Sequence, residues 1–319
     1  MEQVIFFILG VITVYIGANL LVTGAAKFSK SIGVSTLTIG LTVVGVGTSL
    51  PEMVVGIISG IKKVSEVSFG NVIGADIYDL CVIIGVSALI RPLMIENVKL
   101  LTKELKWMTF SFLILSLFSC DGKLGITNGI LLVLLEIAYL RYCYNSAKKE
   151  KQEASLLEKE IVEFIAVHKK KPIFYFLQLV TGLIIIIVGG ETLVRTAVKI
   201  AIMLNVRKEF IGMTMLAFGT ALPELTTSAI ATIKKEYSLT LGIVIGTVIY
   251  NTLAIIGIVS ILSTIEVSNT FFFYQLPLLL ISSGMLFFMV KSGSKISRKE
   301  GGLLICLYLL FLLISILTK

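Results

Sequence analysis

Two copies of a short motif place a carboxylate inside apolar sequence. The first copy, GTSLPE, covers residues 47–52, and the second, GTALPE, covers residues 219–224. The copies end in Glu52 and Glu224, each within a long apolar run. An ionised side chain at the centre of a bilayer costs at least about 2.5 kcal/mol. Because this cost is high, two glutamates at matching positions indicate that their side chains have a functional role. The alternative is that both side chains reach a membrane surface or have structural partners.

The motif supplies oxygen atoms of three kinds. Pro51 and Pro223 have no N–H, so they leave the carbonyls of Gly47 and Gly219 without a helical hydrogen bond. Such a carbonyl needs a partner in a membrane interior, and a cation is one. The remaining oxygens belong to the hydroxyls and carboxylates of Thr48, Ser49, Thr220, Glu52 and Glu224. Oxygen ligands suit hard cations such as Ca²⁺ and Na⁺, so we predict a divalent ion between the two glutamates.

A second polar row follows each motif, in GNVIGADIYD and GIVIGTVIYN, which end at Asp79 and Asn251. Thr247 lies four residues before Asn251 and therefore shares its helical face. We expect Asp79 and Asn251 to face one cavity, with Asp79 protonated while the glutamates hold the ion. Asp76 lies off this face. A helix–helix hydrogen bond and a role in the ion pathway are both open to it.

Both motifs belong to a repeat that covers most of the chain. Sliding the sequence against itself by 172 residues aligns the halves without a gap. The matched pairs include Gly10 with Gly182, Gly17 with Gly189, Lys27 with Lys199, Lys62 with Lys234, Tyr78 with Tyr250 and Gly85 with Gly257. Chance similarity between apolar helices does not keep such residues in register, so we infer a duplicated unit. Asn19 and Glu191 also correspond, and we expect an interfacial or gating role, with simple snorkelling as the alternative.

The composition is that of an integral membrane protein. Hydrophobic residues make up 56% of the 319 residues, charged residues make up 15%, and the mean hydropathy is +0.98. We predict about ten spans, at 3–25, 33–60, 69–90, 106–120, 123–144, 173–197, 209–233, 238–263, 269–290 and 300–318. The first stretch lacks a basic start, so we expect a membrane span there and not a signal peptide. The predicted fold is therefore an all-α integral membrane protein.

The predicted spans form two sets of five. We expect a first five-helix repeat at 1–144, a linker at 145–171 and a second five-helix repeat at 172–319. Because five is odd, the second repeat enters the membrane from the opposite side, and such inverted repeats are typical of secondary transporters. One side carries 20 of the 28 lysines and arginines. We predict that this side is cytoplasmic, so that the linker is cytoplasmic and both termini lie outside the cell membrane.

The linker has one apolar helical face, formed by Leu157, Ile161, Phe164 and Ile165. It predicts either an amphipathic helix on the membrane surface or a solvated helix between the repeats. His168 lies in the same lysine-rich stretch, where we expect a solvated side chain.

Other residue types indicate neither a cofactor nor catalysis. The four cysteines are scattered without metal-ligand spacing, which favours a packing role. There is no Gly-rich phosphate loop. We attribute the net charge of +8 to lysines at the membrane surface and not to nucleic-acid binding. The expected partners are cations and the lipid bilayer.

The motifs and the five-plus-five layout resemble the α-repeats of the calcium:cation antiporter superfamily, in particular its prokaryotic sodium/calcium exchanger branch. The resemblance covers essentially the whole chain. It implies that Ca²⁺ is bound by Glu52, Glu224, Thr48 and Thr220. It implies that Na⁺ is bound by Ser49, the Gly45 carbonyl, Thr220, the Ala217 carbonyl and Thr247. It also matches Asp79 and Asn251 to the central polar pair of the family.

Two pairs of positions depart from the family pattern. The central pair often reads Asn in the first repeat and Asp in the second, and Asp79 and Asn251 reverse that order while keeping one carboxylate. Ala75 and Ala221 stand where the family has serine, so two hydroxyls expected to coordinate Na⁺ are missing. Thr48 and Thr220 stand where proton/calcium exchangers usually have asparagine, which argues against that branch. The resemblance implies an antiporter that exports Ca²⁺ against Na⁺ by alternating access. The alternatives are coupling to H⁺ or K⁺, and a cation channel.

Overall fold

A computed structural model describes residues 2–161, 171–203, 219–293 and 295–317, and within these ranges most residues are helical. The helices are α1 (Glu2–Ile32), α2 (Thr36–Ile39), α3 (Gly45–Thr48), α4 (Leu50–Ile61), α5 (Ser65–Tyr78), α6 (Ile84–Ile90), α7 (Val98–Phe118), α8 (Ile126–Ile161), α9 (Pro172–Met203), α10 (Leu222–Ile233), α11 (Tyr237–Tyr250), α12 (Ile256–Leu262), α13 (Leu276–Ser292) and α14 (Arg298–Leu317). Turns of π-helix cover Gly40–Val44, Asp79–Ile83, Asn251–Ile255 and Phe271–Gln275. Four two-residue strands are β1 (Leu93–Met94), β2 (Lys123–Leu124), β3 (Ile265–Glu266) and β4 (Lys295–Ile296).

Several helices are long and apolar enough to cross a membrane, which confirms the predicted class. The candidate spans are Ile5–Ile32, Ser65–Ile90, Ile126–Gln152, Pro172–Ile200, Tyr237–Leu262 and Phe271–Ser292. A seventh consists of two pieces, Thr36–Thr48 and Leu50–Ile61. The described ranges thus hold six or seven candidate spans, fewer than the ten predicted for the whole chain. The predicted spans at 106–120 and 300–318 correspond to α7 and α14, and the one at 209–233 lies partly outside the described residues.

The elements of the second half follow those of the first at an offset of 172 residues. This offset relates α4 to α10, α5 to α11 and α6 to α12 at both ends of each helix. It also relates the π-helical turn that begins at Asp79 to the one that begins at Asn251. Lys63 and Lys235, a further matched pair, have positive φ angles of 57° and 65°. The sequence repeat is therefore also a repeat of local structure.

Contacts between the halves obey the same correspondence. Strand β1 pairs antiparallel with β4, where Leu93 faces Ile296. Strand β2 pairs antiparallel with β3, where Leu124 faces Ile265. Adding 172 to the number of Leu93 gives Ile265, and subtracting 172 from that of Ile296 gives Leu124. The repeat offset therefore converts the first pairing into the second. The two halves are thus related by an approximate twofold axis in their contacts.

Helices α1 and α9 pack closely along a row of glycines. A Cβ atom added at Gly17 would lie 2.8 Å from the Ile186 nitrogen, and one added at Gly189 would lie 3.0 Å from the Val14 nitrogen. The 172-residue offset converts each of these two contacts into the other. Small residues allow membrane helices to bring their backbones together, and here they join the first helix of each half.

Helix α8 does not end where the linker was predicted to begin. It continues from Ile126 to Ile161, past residue 145. The extension is rich in alanine, lysine and glutamate and has no proline or glycine, so its sequence favours helix. Residues 162–170 lie outside the described residues, and so does the part of the predicted apolar face that they carry.

The extension of α8 holds the start of α2. The Glu150 carboxylate accepts hydrogen bonds from the Ser35 backbone nitrogen at 2.9 Å and from the Ser35 hydroxyl at 3.1 Å. The Thr38 hydroxyl donates to the same carboxylate at 3.2 Å. Because the first N–H groups of a helix have no helical partners, this contact satisfies the N-terminal end of the span that carries the first motif.

Candidate cation-binding site

Each motif breaks its helix at the residue before Leu-Pro-Glu. Ser49, between α3 and α4, has φ −79° and ψ 5°, and the two parts of the span differ in direction by 46°. Ala221, before α10, has nearly the same angles, φ −83° and ψ 0°. The break follows from the prolines, as predicted. Glu52 and Glu224 consequently lie in the first turn of a new helix, where the helix dipole favours a negative charge.

Both glutamates are buried inside the protein. Glu52 is 2% exposed and Glu224 is 1% exposed. Oε2 of Glu52 and both carboxylate oxygens of Glu224 have no hydrogen-bond partner among the described residues. Such burial does not fit side chains that reach out to a membrane surface. It leaves carboxylate oxygens directed into the protein with nothing from the described chain to neutralise them.

The two motifs meet, each glutamate lying beside a threonine of the other half. The Thr220 hydroxyl lies against the Glu52 carboxylate, and the Thr48 hydroxyl lies against the Glu224 carboxylate. The two carboxylates are close enough for their charges to interact. The geometry therefore brings together four residues of the predicted Ca²⁺ set, and it does so in a crossed, twofold arrangement.

The Gly45 carbonyl collects three of the predicted hydroxyls. It accepts hydrogen bonds from Ser49 Oγ at 2.9 Å, from Thr48 Oγ1 at 3.2 Å and from Thr247 Oγ1 at 3.3 Å. Thr247 belongs to the second half, so this cluster also joins the two halves. Ala217, whose carbonyl was predicted to be the counterpart of Gly45, lies outside the described residues.

Asp79 lies near the glutamates, and Asn251 is joined to the same region through Asp76. Asp79 is 1% exposed and Asn251 is fully buried. The charge of Asp79 interacts with those of Glu52 and Glu224. In the described part of the chain, both carboxylate oxygens of Asp79 and Oδ1 of Asn251 lack hydrogen-bond partners.

Asp76 makes the helix–helix hydrogen bond that was one of its two predicted roles. Asn251 Nδ2 donates to Asp76 Oδ1 at 3.0 Å, and Thr252 Oγ1 donates to Asp76 Oδ2 at 3.1 Å. Asp79 and Asn251 each begin a π-helical turn, a local widening that often accompanies functional sites. The apolar periodicity of these spans gave no sign of either turn.

A cavity of about 730 Å³ adjoins the site on one face of the protein. It lies between α4 and α9. Leu50 and Val54 of α4 line it, and so does Thr220. Glu191 and Arg195, which form an ion pair on α9, also line it. Glu191 therefore lies at a cavity that Thr220 also lines, while an interfacial or gating role for it stays a prediction.

The equivalent region of the other face is joined by a lysine. Lys234 Nζ donates to Thr23 Oγ1 at 2.5 Å and to the Asn19 carbonyl at 3.3 Å, which connects the end of α10 to α1. Partial burial and the positive charge of Lys27 lower the pKa of Lys234. Thr23 and Asn19 correspond in the repeat to Arg195 and Glu191, so the two faces differ in their contacts.

Acidic side chains alone do not form a metal site in this arrangement. Within the described ranges, no group of three or more His, Cys, Asp or Glu side chains is placed to hold one metal ion. The carboxylates of Glu52 and Glu224 would need the nearby hydroxyls and carbonyls to complete the coordination of a cation. Such mixed oxygen sets are usual for Ca²⁺.

Comparisons with known proteins agree on one family. The family described as sodium/calcium exchanger protein matches residues 2–145 and 174–317, two segments offset by 172 residues at both ends. The chain is 32% identical to the membrane protein MJ0091 of Methanocaldococcus jannaschii, over 96% of this chain and 95% of that protein. It is 29% identical to the sodium/calcium exchanger MaX1 of Methanosarcina acetivorans, over 97% of each chain.

The fold agrees with that of a solved exchanger. Structures of the sodium-calcium exchanger NCX_Mj superpose on this chain with a TM-score of 0.83 at 30% identity, over 97% of each chain. The similarity covers 97% of this chain and therefore includes both halves, and the named relatives are an exchanger and a membrane protein. This multi-pass membrane protein therefore belongs to the sodium/calcium exchanger family.

Proposed function

We propose that the protein exchanges Ca²⁺ for Na⁺ across the membrane as a secondary antiporter. The observation that carries the proposal is the buried pair of Glu52 and Glu224. Their carboxylates are close enough for the charges to interact, and three of the four carboxylate oxygens have no hydrogen-bond partner in the described chain. Two like charges buried in the protein are strongly unfavourable unless a cation lies between them or one carboxylate is protonated. A divalent ion neutralises both carboxylates at once.

The proposed ligands of Ca²⁺ are Glu52, Glu224, Thr48 and Thr220. Those of Na⁺ are Ser49, the Gly45 carbonyl, Thr220, the Ala217 carbonyl and Thr247, and Asp79 and Asn251 complete the polar centre. The crossed contacts support this assignment, because Thr48 adjoins both the Gly45 carbonyl and Glu224. The two ion sites then share oxygens, so that Na⁺ and Ca²⁺ compete and exchange is favoured over joint transport.

The difference between the two faces supports alternating access. On one face a cavity reaches Thr220, and Glu191 bonds to Arg195 within its own helix. On the other face Lys234 ties α10 to α1, and the cavity that it lines there with Thr23 and Lys27 is smaller, at about 380 Å³. In our proposal the first face is open and the second is closed, and the two exchange roles as the α1–α9 pair slides across the ion site. The glycine row of that pair is suited to close sliding contact.

Orientation follows from the distribution of lysine and arginine. We propose that the face of Lys234 and the extension of α8 are cytoplasmic, so that the open cavity faces outward. The two units at 1–144 and 172–319 then form inverted repeats of five helices each, with the linker at 145–171 in the cytoplasm. Both termini lie outside.

Two missing hydroxyls bear on the identity of the coupling ion. Ser49 donates to the Gly45 carbonyl, whereas Ala221, at the equivalent break, has no hydroxyl to offer. Ala75 likewise provides none. Coupling to H⁺ or K⁺ is therefore the second candidate function, and it keeps the same Ca²⁺ site.

The test is ⁴⁵Ca²⁺ uptake into vesicles that contain the purified full-length protein and are loaded in turn with Na⁺, K⁺ or acid. We expect uptake to require a Na⁺-loaded interior and to be lost in Glu52→Gln. The matched control is Glu66→Gln, which changes an exposed glutamate of α5 and should transport normally. Uptake driven only by K⁺ or acid supports the second candidate. Uptake without any counter-ion gradient indicates a channel, and normal uptake by Glu52→Gln refutes the site.

A further inference from the structure

Asp76 is a buried acid that the proposed ion ligands do not include. Its side chain is fully buried in α5. The position that corresponds to it in the second half, Val248, has no polar atoms in its side chain. Asp76 therefore breaks the symmetry of the polar centre at a point where the rest of the local structure repeats.

The carboxylate of Asp76 holds two successive residues at the start of a π-helical turn. It accepts from Asn251 at 3.0 Å through one oxygen and from Thr252 at 3.1 Å through the other. The first half has no such clamp, because Leu80 stands at the position equivalent to Thr252. Accordingly Asp79, the counterpart of Asn251, has no hydrogen-bond partner among the residues that the structure describes.

The clamp fixes which end of the Asn251 amide is available. Asp76 Oδ1 accepts its hydrogen bond from the amide nitrogen of Asn251, which leaves the amide oxygen turned away from Asp76. That oxygen, Oδ1, is buried and makes no hydrogen bond with the described chain. The charge of Asp76 interacts with those of Glu52 and Asp79, so the clamp lies directly beside the proposed cation site.

We propose that Asp76 is a positioning residue that presents the amide oxygen of Asn251 to the transported cation. The proposal rests on the function proposed above and deepens it. Without Asp76 the amide can rotate and direct its NH₂ group at the site, where a donor repels a cation and an oxygen attracts one. In this orientation Asn251 supplies a neutral oxygen to the cation.

The experiment measures equilibrium binding of ⁴⁵Ca²⁺ to the purified full-length protein. Loss of a residue that orients a metal ligand typically weakens metal binding about 10–100-fold, and we expect a loss of that size in Asp76→Leu. Asp76→Asn keeps an acceptor oxygen and should recover part of the affinity. Thr252→Val is the matched control, because it removes the other hydrogen bond of Asp76 without releasing Asn251. If Asp76 had only a structural role, Asp76→Leu and Thr252→Val would lose similar amounts of Ca²⁺ affinity.

A double-mutant cycle tests whether Asp76 acts through Asn251. In an Asn251→Ala background there is no amide to orient, so Asp76→Leu should have no further effect on the Ca²⁺ affinity. If Asp76→Leu does not fold, Asp76→Asn takes its place in the cycle. Additive losses overturn the inference, as does wild-type affinity in Asp76→Leu, and both leave the proposed function intact. Wild-type protein that binds no Ca²⁺ overturns the proposed function itself.

Discussion

Replacement of Gly17 by alanine tests whether the close contact of α1 and α9 is needed for packing and for exchange. The new Cβ would lie 2.8 Å from the Ile186 nitrogen and 3.0 Å from the Gly182 carbonyl oxygen. Ordinary van der Waals contact begins at 3.4 Å. The two helices must therefore separate locally by at least about 0.6 Å, because both close atoms belong to the backbone and have no rotamer to change.

The cost follows from overpacking. One added methyl group in a well-packed contact costs about 1–3 kcal/mol, which corresponds to roughly a 5- to 150-fold change in an equilibrium constant or a rate. Part of this cost is offset, since alanine favours helix over glycine by about 1 kcal/mol. Gly284→Ala is the matched control, because nothing lies within 4 Å of the Cβ added in α13, and it has the same propensity gain.

Two measurements check the expectation. We expect Gly17→Ala to unfold at lower temperature than Gly284→Ala, and we expect its Ca²⁺ exchange to be slower at saturating Ca²⁺. The Ca²⁺ affinity should change little, because the ion ligands are not in this contact. Equal unfolding temperatures and equal exchange rates in the two variants would mean that α1 and α9 separate without cost, and that reasoning from the glycine row is wrong.

Two further predictions concern the ends of the helices. Glu150→Ala removes the hydrogen-bond acceptor at the start of α2. It should lower the free energy of unfolding by about 1 kcal/mol, as loss of a helix cap does. Glu150→Gln keeps one acceptor oxygen and should lose less stability in the same thermal unfolding assay. Lys234→Met removes the donor that ties α10 to α1, a contact worth about 1 kcal/mol after screening by water, and should raise the apparent Ca²⁺ affinity on that face roughly fivefold. Flux measured from each face of oriented vesicles checks the second, and an equal change on both faces would contradict it.

The sequence was most informative where covalent structure dictates local geometry. Proline lacks an N–H, so the helix breaks before Pro51 and Pro223 were predictable and are observed at Ser49 and Ala221. The repeat likewise predicted that Glu52 and Glu224 would come together, because the broken helices of inverted repeats meet at the substrate site. The fold class followed from apolar content alone.

Contacts between residues distant in the sequence were not predictable in the same way. Asp76 binds Asn251 across 175 positions of the chain, and its alternatives stayed open because no periodicity encodes such a partner. Glu150 reaches back 115 positions to Ser35, a contact that needs α8 to continue past its membrane span. The π-helical turns depend on one extra residue per turn, a difference too small to alter an apolar pattern.

The two short strand pairs have a consequence for how the chain is made. Each pair consists of one strand from each half. Leu124 can pair only after Ile265 has been synthesised, and Leu93 only after Ile296 has been synthesised. At about 5–20 residues per second on the ribosome, these partners arrive roughly 7 to 40 seconds later. During that interval β1 and β2 have no partner strands, so the contacts that join the two halves form only after most of the second half has been made.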